Sequence, residues 1–355
     1  MKLTCLQENL SRAIRYLQIL GNKGQVYLAA EGTSITITGT DLMLIARCRV
    51  PAKIDESGAI TLPLDPFGSI ISQLPAGDVV IESTGHKLQL SYAGTKVRLI
   101  GTTESPLPSN MLVIPTEMAL SSKELSAAIR ATKFAAPENE KMGLPQGVLL
   151  HLDGEARRFV ATDGFRLSCY TLKLTTDKQG DYIIPLRAWE GLRTILQGRD
   201  ESVEIGFSEN QGCFRLAEVE LWTLLMNTKF PHYEKLLEGN YTHKALIPRK
   251  PLLDAVKLAM SFSKITSMFI TLDILFDSVS VISSDTELGN AYSEIPAQIT
   301  GDSVKCTYRG DFLLGVLESM IGDGIVFQTE GPTSAGVFLD VALPQYTHFI
   351  MPATV

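Results

Sequence analysis

The feature that most constrains this chain is a threefold internal repeat. Three short segments share one pattern, in which a β-like run ends in a polar turn that contains an aspartate. These aspartates are Asp41, Asp163 and Asp285, and each lies 122 residues after the one before. A helical pattern of spaced apolar residues precedes each turn and starts at Leu10, Leu125 and Leu252. A period this long indicates duplicated domains, because solenoid repeats run to only about 20–50 residues.

Each repeat is predicted to run strand, helix, several strands, helix and several strands. The second helix of each repeat carries an aromatic residue near its start, namely Phe67, Trp189 and Phe312. Many short strands with two helices per repeat predict an α+β fold, with helices packed on one side of antiparallel sheet. The predicted domains are 1–112, 113–240 and 241–355, with a proline-rich junction at 105–110 and a polar junction at 239–242.

Positive charge is concentrated on the predicted helices, at 7–18, 64–74, 121–135, 187–199, 248–264 and 310–320. These helices carry a net charge of +5, whereas the whole chain carries −7. Lys250, Lys257 and Lys264 recur every seven residues and therefore share one helical face. Such a stripe either contacts phosphates without reading bases or is an ordinary solvated face. The acidic balance excludes nucleic-acid binding through overall basicity but allows a basic patch.

Cysteine usage and hydropathy bound the class of protein further. Five widely spaced cysteines without a CxxC pair predict reduced thiols in a cytoplasmic protein, and not a disulfide framework or a zinc site. The N-terminal segment turns polar by Gln7 and predicts no signal peptide. The apolar runs are far shorter than the ~18 residues that span a bilayer, so a membrane protein is not expected.

Motifs of catalysis are missing from the sequence. There is no P-loop, no G-x-S-x-G elbow and no H-E-x-x-H, and the five histidines are scattered singly. Asp163 could act as a nucleophile, but Asp41 and Asp285 hold the same place in the other repeats. A residue that recurs in every repeat is predicted to fix a turn through side-chain hydrogen bonds to the backbone. A hydrolase built on the repeats is the weakest of the functional hypotheses.

Several segments of the chain together match the motifs of one known family. The segment 161–168, Ala-Thr-Asp-Gly-Phe-Arg-Leu-Ser, resembles the ATDGHRL motif of bacterial DNA sliding clamps, the beta subunits of DNA polymerase III. Phe230-Pro231-His232-Tyr233 resembles its FPDY motif, and the ending 348–352 resembles its apolar-Met-Pro terminus. The start of the chain and the segment 39–42 fit as well, so the resemblance covers the whole chain in order.

The resemblance implies a specific assembly. Two protomers would join head to tail into a closed ring of six similar domains, with helices lining the hole and sheets forming the outer wall. Duplex DNA would pass through the hole, and the ring would tether a polymerase without catalysis of its own. A separate clamp-loader ATPase would open the ring, and no cofactor or metal is expected. A sliding ring needs diffuse attraction to phosphates, which a helical stripe of cations supplies.

The family also implies a pocket for partner peptides between the second and third domains. The matching positions in this sequence are Thr162, Gly164, Phe165, Arg166, Leu167, Pro231, Leu236, Phe349, Met351 and Pro352. Leu144 and Pro145 would close one side of this pocket. An apolar cleft with few polar groups suits a short extended peptide with Leu and Phe anchors, and a methionine adapts to several partners. The alternative for Leu167, Leu236 and Met351 is ordinary core packing.

Contacts with DNA are expected from one motif position and from the charge pattern. Lys235 matches a basic position just after the Pro-x-Tyr motif. The charge pattern adds the helix residues Arg12, Arg130, Arg193, Lys250 and Lys257. Dimer contacts are expected from the segments 67–74 and 262–269, by analogy with a first-to-third-domain junction.

This sequence also departs from the family pattern. Phe165 stands where the family usually has histidine, which makes the rim of the pocket more apolar. The first domain lacks a familiar DNA-contacting arginine, and Ser72 stands where a basic residue is common. The alternative function is therefore a clamp-like adaptor that binds peptides but holds DNA weakly.

Overall fold

The fold was analysed in a computed structural model of the chain. The structure describes residues 1–21, 24–107, 114–137, 139, 143–173, 178–263, 268–283 and 289–353. Asp285, Lys264 and the predicted boundary at 112–113 lie outside these residues. None of the described helices combines the length and the apolar character needed to cross a membrane.

The order of elements repeats three times along the chain. The first repeat comprises β1 (Lys2–Leu6), α1 (Gln7–Leu17), β2 (Gln25–Glu31), β3 (Ser34–Thr40), β4 (Leu44–Pro51), β5 (Lys53–Glu56), β6 (Gly58–Pro63), α2 (Leu64–Gln73), β7 (Asp78–Thr84), β8 (Lys87–Tyr92) and β9 (Thr95–Ile100). The second comprises β10 (Met118–Ser121), α3 (Ser122–Thr132), β11 (Gly147–Asp153), β12 (Arg157–Thr162), β13 (Arg166–Leu172), β14 (Gln179–Pro185), α4 (Leu186–Leu196), β15 (Ser202–Phe207), β16 (Gln211–Arg215) and β17 (Val219–Leu224).

The third repeat has the same order and nine strands, as in the first repeat, whereas the second repeat has eight. It comprises β18 (His243–Pro248), α5 (Arg249–Ser263), β19 (Phe269–Ile274), β20 (Ser278–Ser283), β21 (Tyr292–Pro296), β22 (Gln298–Thr300), β23 (Val304–Arg309), α6 (Gly310–Ser319), β24 (Gly324–Thr329), β25 (Gly336–Asp340) and β26 (Leu343–Ile350). Short 3₁₀ turns lie at Gln18–Leu20, Lys133–Ala135 and Glu234–Glu238. The six predicted helices and the strand–helix order of each repeat are confirmed.

The chain divides into two compact units, and the first consists of Met1–Ser126 with Ile184–Asn227. It holds a five-stranded sheet in the order β5-β1-β7-β8-β9 and an eight-stranded sheet in the order β10-β15-β16-β17-β4-β3-β2-β6. Strands of the first and second repeats meet in the larger sheet, because β4 pairs antiparallel with β17 from Leu44 opposite Thr223 to Cys48 opposite Val219.

The second unit consists of Ala127–Ile183 with Thr228–Val355. Its nine-stranded sheet has the order β14-β11-β12-β13-β26-β25-β24-β18-β22, and its four-stranded sheet has the order β21-β20-β19-β23. The same type of junction recurs here, since β13 of the second repeat pairs antiparallel with β26 of the third, with Leu167 opposite Phe349. The last strand of one repeat thus extends the sheet of the preceding repeat in both units.

Apolar spacing explains why the first helix of each repeat forms and which face it buries. Leu10, Ile14 and Leu17 of α1 are spaced by three and four residues and are at most 2% exposed. The aromatic residue of each second helix lies in the core, with Phe67 and Trp189 fully buried and Phe312 5% exposed. Burial of an aromatic side chain contributes about 2–3 kcal/mol, so these side chains are major anchors of the helix layer.

Consecutive repeats also meet through their helices at a glycine. In the first unit a Cβ on Gly191 of α4 would lie 2.8 Å from Cδ1 of Ile19, which follows α1. In the second unit a Cβ on Gly315 of α6 would lie 3.0 Å from Cδ2 of Phe134, which follows α3. Both glycines are the sixth residue of their helix, so one side chain packs on one glycine at both junctions. Each glycine lets the neighbouring side chain pack close to the helix, because a Cβ at that position would crowd it.

A buried histidine lies at the β13–β26 junction. His348 is fully buried, its Nδ1 forms a 2.6 Å hydrogen bond with Ser168 Oγ, and its ring packs 5.1 Å from that of Phe134. Nε2 has no hydrogen-bond partner among the described residues. Burial holds the pKa of His348 well below its usual range, and the positive charge of Arg166 lowers it further. The neutral ring is therefore the form that the junction accepts.

We expect the stability of the second unit to fall as the pH drops below about 6.5. In the folded state His348 stays neutral, whereas the unfolded chain binds a proton near the ordinary pKa, about 6.5. Protonation thus favours the unfolded state, by about 1.4 kcal/mol per pH unit down to the folded pKa. Urea unfolding of the wild type and of His348→Gln between pH 7.5 and 5 measures this difference. Parallel pH profiles for the two proteins would contradict it.

Candidate functional site

The same turn is built at two places in the chain, and the second lies at the candidate pocket. In the first unit Asp41 Oδ1 accepts hydrogen bonds from the backbone nitrogens of Met43 (3.0 Å) and Leu44 (2.8 Å). In the second unit Asp163 Oδ1 accepts them from Phe165 and Arg166, both at 3.0 Å. The threonine before each aspartate accepts a further backbone bond. This geometry agrees with the predicted turn role of both aspartates.

The residue after the aspartate adopts a left-handed conformation in both turns. Gly164 has φ +87°, and Leu42 at the equivalent position has φ +78°. Glycine adopts this conformation without steric cost, whereas leucine is strained by about 1–2 kcal/mol. At Gly164 a Cβ would also lie 3.3 Å from Cδ1 of Leu144, so glycine lets that leucine approach the turn. The contact agrees with the placement of Leu144 beside the pocket.

Pairing of β13 with β26 brings the two ends of the candidate pocket together. Arg166 lies opposite Ile350, and Leu167 lies opposite Phe349. Beyond the paired strands, the backbone nitrogen of Met351 donates a 2.8 Å hydrogen bond to the carbonyl oxygen of Phe165. The turn and the C-terminal tail are thus joined by backbone bonds, although they are far apart in sequence.

Burial separates the candidate residues into a floor and a rim. Leu167 and Phe349 are each 4% exposed and Thr162 is 7% exposed, so they form the buried floor. Phe165 is 52% exposed and Met351 47%, and Gly164 beside them is exposed. Pro352 is half-buried, and the backbone bond from Ala353 to the Thr307 carbonyl (2.8 Å) holds the tail. Two large apolar side chains therefore face solvent next to each other.

The second motif lies over the same face of the nine-stranded sheet. Tyr233 is 2% exposed and packs edge-on against His151 of β11, with ring centroids 6.4 Å apart. Burial raises the pKa of Tyr233. Its electrostatic interactions with Cys169 and Arg158 place it beside β13 and β12, the strands that carry Leu167 and Thr162. Tyr233 thereby fixes Pro231, which is half-buried, and Leu236, which is 40% exposed, above this face.

The side chain of Arg166 points to the opposite, helix-covered face. Its Nε donates a 2.9 Å hydrogen bond to Asp163 Oδ2, and its guanidinium lies over the rings of Phe312 (4.4 Å) and Phe134 (5.5 Å). The side chain is only 15% exposed. A cation between two aromatic rings and a carboxylate is held firmly, so Arg166 buttresses the turn.

Two of these supporting residues were missed by sequence reasoning. The sequence indicates Phe312 only as a helix aromatic, and no motif marks Phe134. Phe134 holds the place in its repeat that Ile19 holds in the first, immediately after the first helix. An alignment of the repeats around that position is the signal that could have identified it. Among the described residues no group of three or more His, Cys, Asp or Glu side chains could hold a metal ion, and the described cysteines are free and buried.

The six predicted DNA-contacting cations are all exposed, but their surroundings differ. Three of them have a carboxylate nearby: Arg12 with Glu218 (3.5 Å), Lys250 with Asp254 (3.3 Å) and Lys257 with Glu318 (3.2 Å). The other three, Arg130, Arg193 and Lys235, have no ion-pair partner in the described part of the chain. The charge pattern alone could not distinguish the two groups.

Three repeats of one α+β unit, joined by antiparallel pairing between strands of consecutive repeats, define the class of DNA-clamp folds. A family model described as the N-terminal domain of the DNA polymerase III beta subunit matches residues 2–105, and the model of its central domain matches residues 119–232. Together they cover more than half of the chain, which belongs to the DNA polymerase III beta subunit family. It is a sliding-clamp subunit and acts without catalysis.

Similar proteins match the chain over more than nine tenths of its length. The beta sliding clamp of Synechococcus elongatus is 25% identical over 99% of both chains, and that of Staphylococcus aureus is 24% identical over 92% of this chain and 90% of its own. The crystal structure of the beta subunit from Streptococcus pyogenes DNA polymerase superimposes with a TM-score of 0.92 at 20% identity and covers 100% of both chains. A Pseudomonas aeruginosa sliding clamp bound to griselimycin gives 0.91 at 22% identity, again over 100% of both chains. The adaptor alternative is not favoured by these relatives.

We expect Asp163→Ala to destabilise the second unit by about 2–3 kcal/mol, because it removes the acceptor of two backbone nitrogens and the partner of Arg166. Asp163→Asn keeps an acceptor oxygen for the turn but removes the charge, so its loss should be less than half as large. The free energy of unfolding in urea measures both. Equal losses in the two variants would assign the effect to the ion pair instead of the turn.

Proposed function

We propose that two copies of this chain join head to tail into a ring that encircles duplex DNA and tethers DNA polymerase III through a peptide pocket. Each copy would contribute three clamp domains, 1–112, 113–240 and 241–355. The proposal rests chiefly on one observation: both junctions between consecutive repeats are antiparallel strand pairs, and the pattern leaves one strand at each end of the series at a sheet edge.

Two edge strands, β21 and β9, hold the positions in their repeats of the strands that pair at the two junctions within the chain. They are therefore the strands expected to pair at a third junction, between two copies. In β4–β17 and β13–β26 the fourth strand of one repeat pairs with the last strand of the next. The corresponding strands with no such partner are β21 at the edge of the four-stranded sheet and β9 at the edge of the five-stranded sheet. An exposed edge presents unpaired backbone groups and invites pairing. Pairing of β21 with β9 of a second copy would satisfy both edges and close a ring of two protomers.

Charge supports this pairing. The exposed residues of β9 include Lys96 and Arg98, whereas β21 carries the exposed Glu294 and no basic residue. Opposite charges on the two edges favour pairing of β9 with β21 over pairing of either strand with itself. The interface would thus be heterologous, which is the type that forms rings when the rotation closes.

The helix segments expected at the interface fit the same scheme. At both junctions within the chain a side chain after the first helix packs on the sixth residue of a second helix. The sixth residue of α2 is Ser69, another small residue, and it lies in the segment 67–74. The segment 262–269 includes the end of α5, the first helix of the third repeat, and so holds the place of the side chain that packs on the second helix at the other junctions. Residues 264–267 of this segment lie outside the described part of the chain. We therefore retain both segments as interface candidates.

The pocket around Phe165 and Met351 is proposed to hold a short extended peptide with Leu and Phe anchors. Its exposed apolar rim, its buried floor and the few polar groups near it suit apolar anchors. The residues proposed to form it are Thr162, Gly164, Phe165, Leu167, Pro231, Leu236, Phe349, Met351 and Pro352, with Arg166 acting through its backbone. Candidate occupants are the DNA polymerase III catalytic subunit, the clamp-loader ATPase and other proteins with such peptides. A similar clamp that binds griselimycin supports a ligand site on this fold.

DNA is proposed to contact the cations of the helices and Lys235 without reading sequence. The set consists of Lys235, Arg12, Arg130, Arg193, Lys250 and Lys257, which are all exposed. Mobile phosphate contacts of this type give salt-dependent binding and permit sliding. We place the protein in the cytoplasm, where bacterial replication proteins act.

Charge reversal on one edge should weaken the dimer. We expect Lys96→Glu with Arg98→Glu to raise the dimer dissociation constant about tenfold or more, because like charges would face Glu294 of the second copy. Light scattering over a dilution series measures the change, and adding Glu294→Lys should restore the dimer in part.

The matched control is Lys53→Glu on β5, the other edge of the same sheet, where Lys53 is 81% exposed. This variant should leave the dimer unchanged. The wild-type protein, after loading, should be retained on circular DNA and lost from linear DNA. A wild type that stays monomeric at micromolar concentration would contradict the ring, and equal loss from both DNAs would favour the adaptor.

Truncation of the rim should weaken peptide binding without unfolding the protein. We expect Met351→Ala to reduce affinity for a fluorescein-labelled peptide with one Leu and one Phe about five- to tenfold, because it removes an exposed apolar wall. Fluorescence anisotropy measures the affinity. The control is Leu258→Ala, since Leu258 is 50% exposed on α5 of the same unit. Unchanged affinity in Met351→Ala, or an equal loss in the control, would refute the pocket assignment.

A further inference from the structure

An arginine-lined cleft opens between the ends of α1 and α4 in the first unit. Its volume is about 540 Å³, and Arg15, Arg187 and Arg193 line it together with Glu190. It forms beside the contact of Ile19 with Gly191, where the two helices approach closely. The charged residues of this lining are therefore three arginines and one glutamate. We call these three arginines and the space between them the arginine cleft.

One of the three arginines is fixed by the protein itself. Nη2 and Nε of Arg187 donate hydrogen bonds of 3.0 and 3.3 Å to the carbonyl oxygen of Ile19, and Nη1 pairs with Asp41. The side chain nevertheless remains 47% exposed. A guanidinium anchored on one edge is preorganised, so it loses little conformational freedom when its remaining face meets an anion.

The other two arginines are exposed and have no carboxylate within 4.0 Å in the described part of the chain. Arg15 lies in the last turn of α1, and Arg193 lies in the last turn of α4. Nearby Arg12 differs, because Glu218 lies 3.5 Å away and Asn9 accepts a 3.0 Å hydrogen bond from it. A phosphate that approaches Arg12 must compete with these groups, whereas the arginine cleft offers cations that are not yet paired.

The lining of the cleft indicates an anion with several acceptor oxygens. Guanidinium groups bind phosphate oxygens in bidentate fashion, and the amide of Gln18 adds an uncharged donor. The open cleft is wider than one small anion requires, which suits a phosphate that belongs to a chain. A nucleic-acid backbone supplies such a group, and in the proposed function that backbone is duplex DNA.

We propose that the arginine cleft holds a backbone phosphate of duplex DNA and contributes more to DNA affinity than the paired cations Arg12, Lys250 and Lys257. The inference rests on the proposed function, because it presumes that duplex DNA lies against these helices. It goes beyond the charge pattern of the sequence, which ranked Arg12 with Arg193 and did not include Arg15 or Arg187. Pairing within the protein, and not exposure alone, sets the order of the cations.

Salt-dependent binding of a 30-base-pair duplex measures this order. For Arg15→Gln with Arg193→Gln we expect about tenfold weaker affinity at 50 mM salt and a slope of log K against log salt reduced by about 0.9, as one phosphate contact is lost. The matched control is Arg12→Gln with Lys257→Gln, which removes the same charge from paired positions. This control should lose less than threefold.

Further measurements separate failure of this inference from failure of the proposed function. Both double variants should keep the wild-type dimer, peptide affinity and unfolding temperature. Arg193→Lys should restore only part of the affinity, since lysine keeps the charge but lacks the planar fork. If the wild type binds the duplex and the cleft variant loses no more than the control, the cleft assignment is wrong and the clamp stands. If the wild type does not bind the duplex, the proposed function itself fails.

Discussion

Antiparallel pairing between the fourth strand of one repeat and the last strand of the next is the interaction on which this structure depends. It joins β4 to β17 in the first unit and β13 to β26 in the second, and it makes one continuous sheet from two repeats. Each pairing satisfies a row of backbone groups that would otherwise stand at an edge. The same pairing brings together the two sides of the candidate pocket. The backbone bond from Met351 to Phe165 lies directly beyond the last paired residues of β13 and β26.

The turn aspartates of the two units have ion-pair partners from different parts of the chain. Asp41 accepts its ion pair from Arg187 on a helix of the next repeat, whereas Asp163 is held by Arg166 three residues along its own turn. The turn geometry is the same in both places, so the backbone hydrogen bonds fix the conformation and the cation can come from either side. Arg187 is therefore free to act at two sites, toward Asp41 on one edge and toward the arginine cleft on the other.

Periodicity in the sequence was enough for the repeat, the six helices and the turn roles of Asp41 and Asp163, because apolar spacing and turn chemistry are local. It could not rank the cations, since Arg12 and Arg193 look alike until Glu218 is found 3.5 Å from Arg12. It also could not give the orientation of the Arg166 side chain, because the direction in which a strand residue points depends on which face of the sheet the helices cover. The rings of Phe134 and Phe312 that hold Arg166 come from distant positions in the chain, and no local pattern connects them.

The proposed ring has two requirements that pull in opposite directions, and we propose that the distribution of ion pairs in this chain meets both. Strong attachment to DNA would come from many unpaired cations, but each such contact also resists movement along the duplex. Pairing Arg12, Lys250 and Lys257 with carboxylates leaves them available as weak, exchangeable contacts. A few unpaired arginines can then supply most of the affinity from one place. Because a phosphate recurs at every step of the backbone, the proposed arginine cleft, taking one phosphate at a time, would hold the duplex at all positions alike.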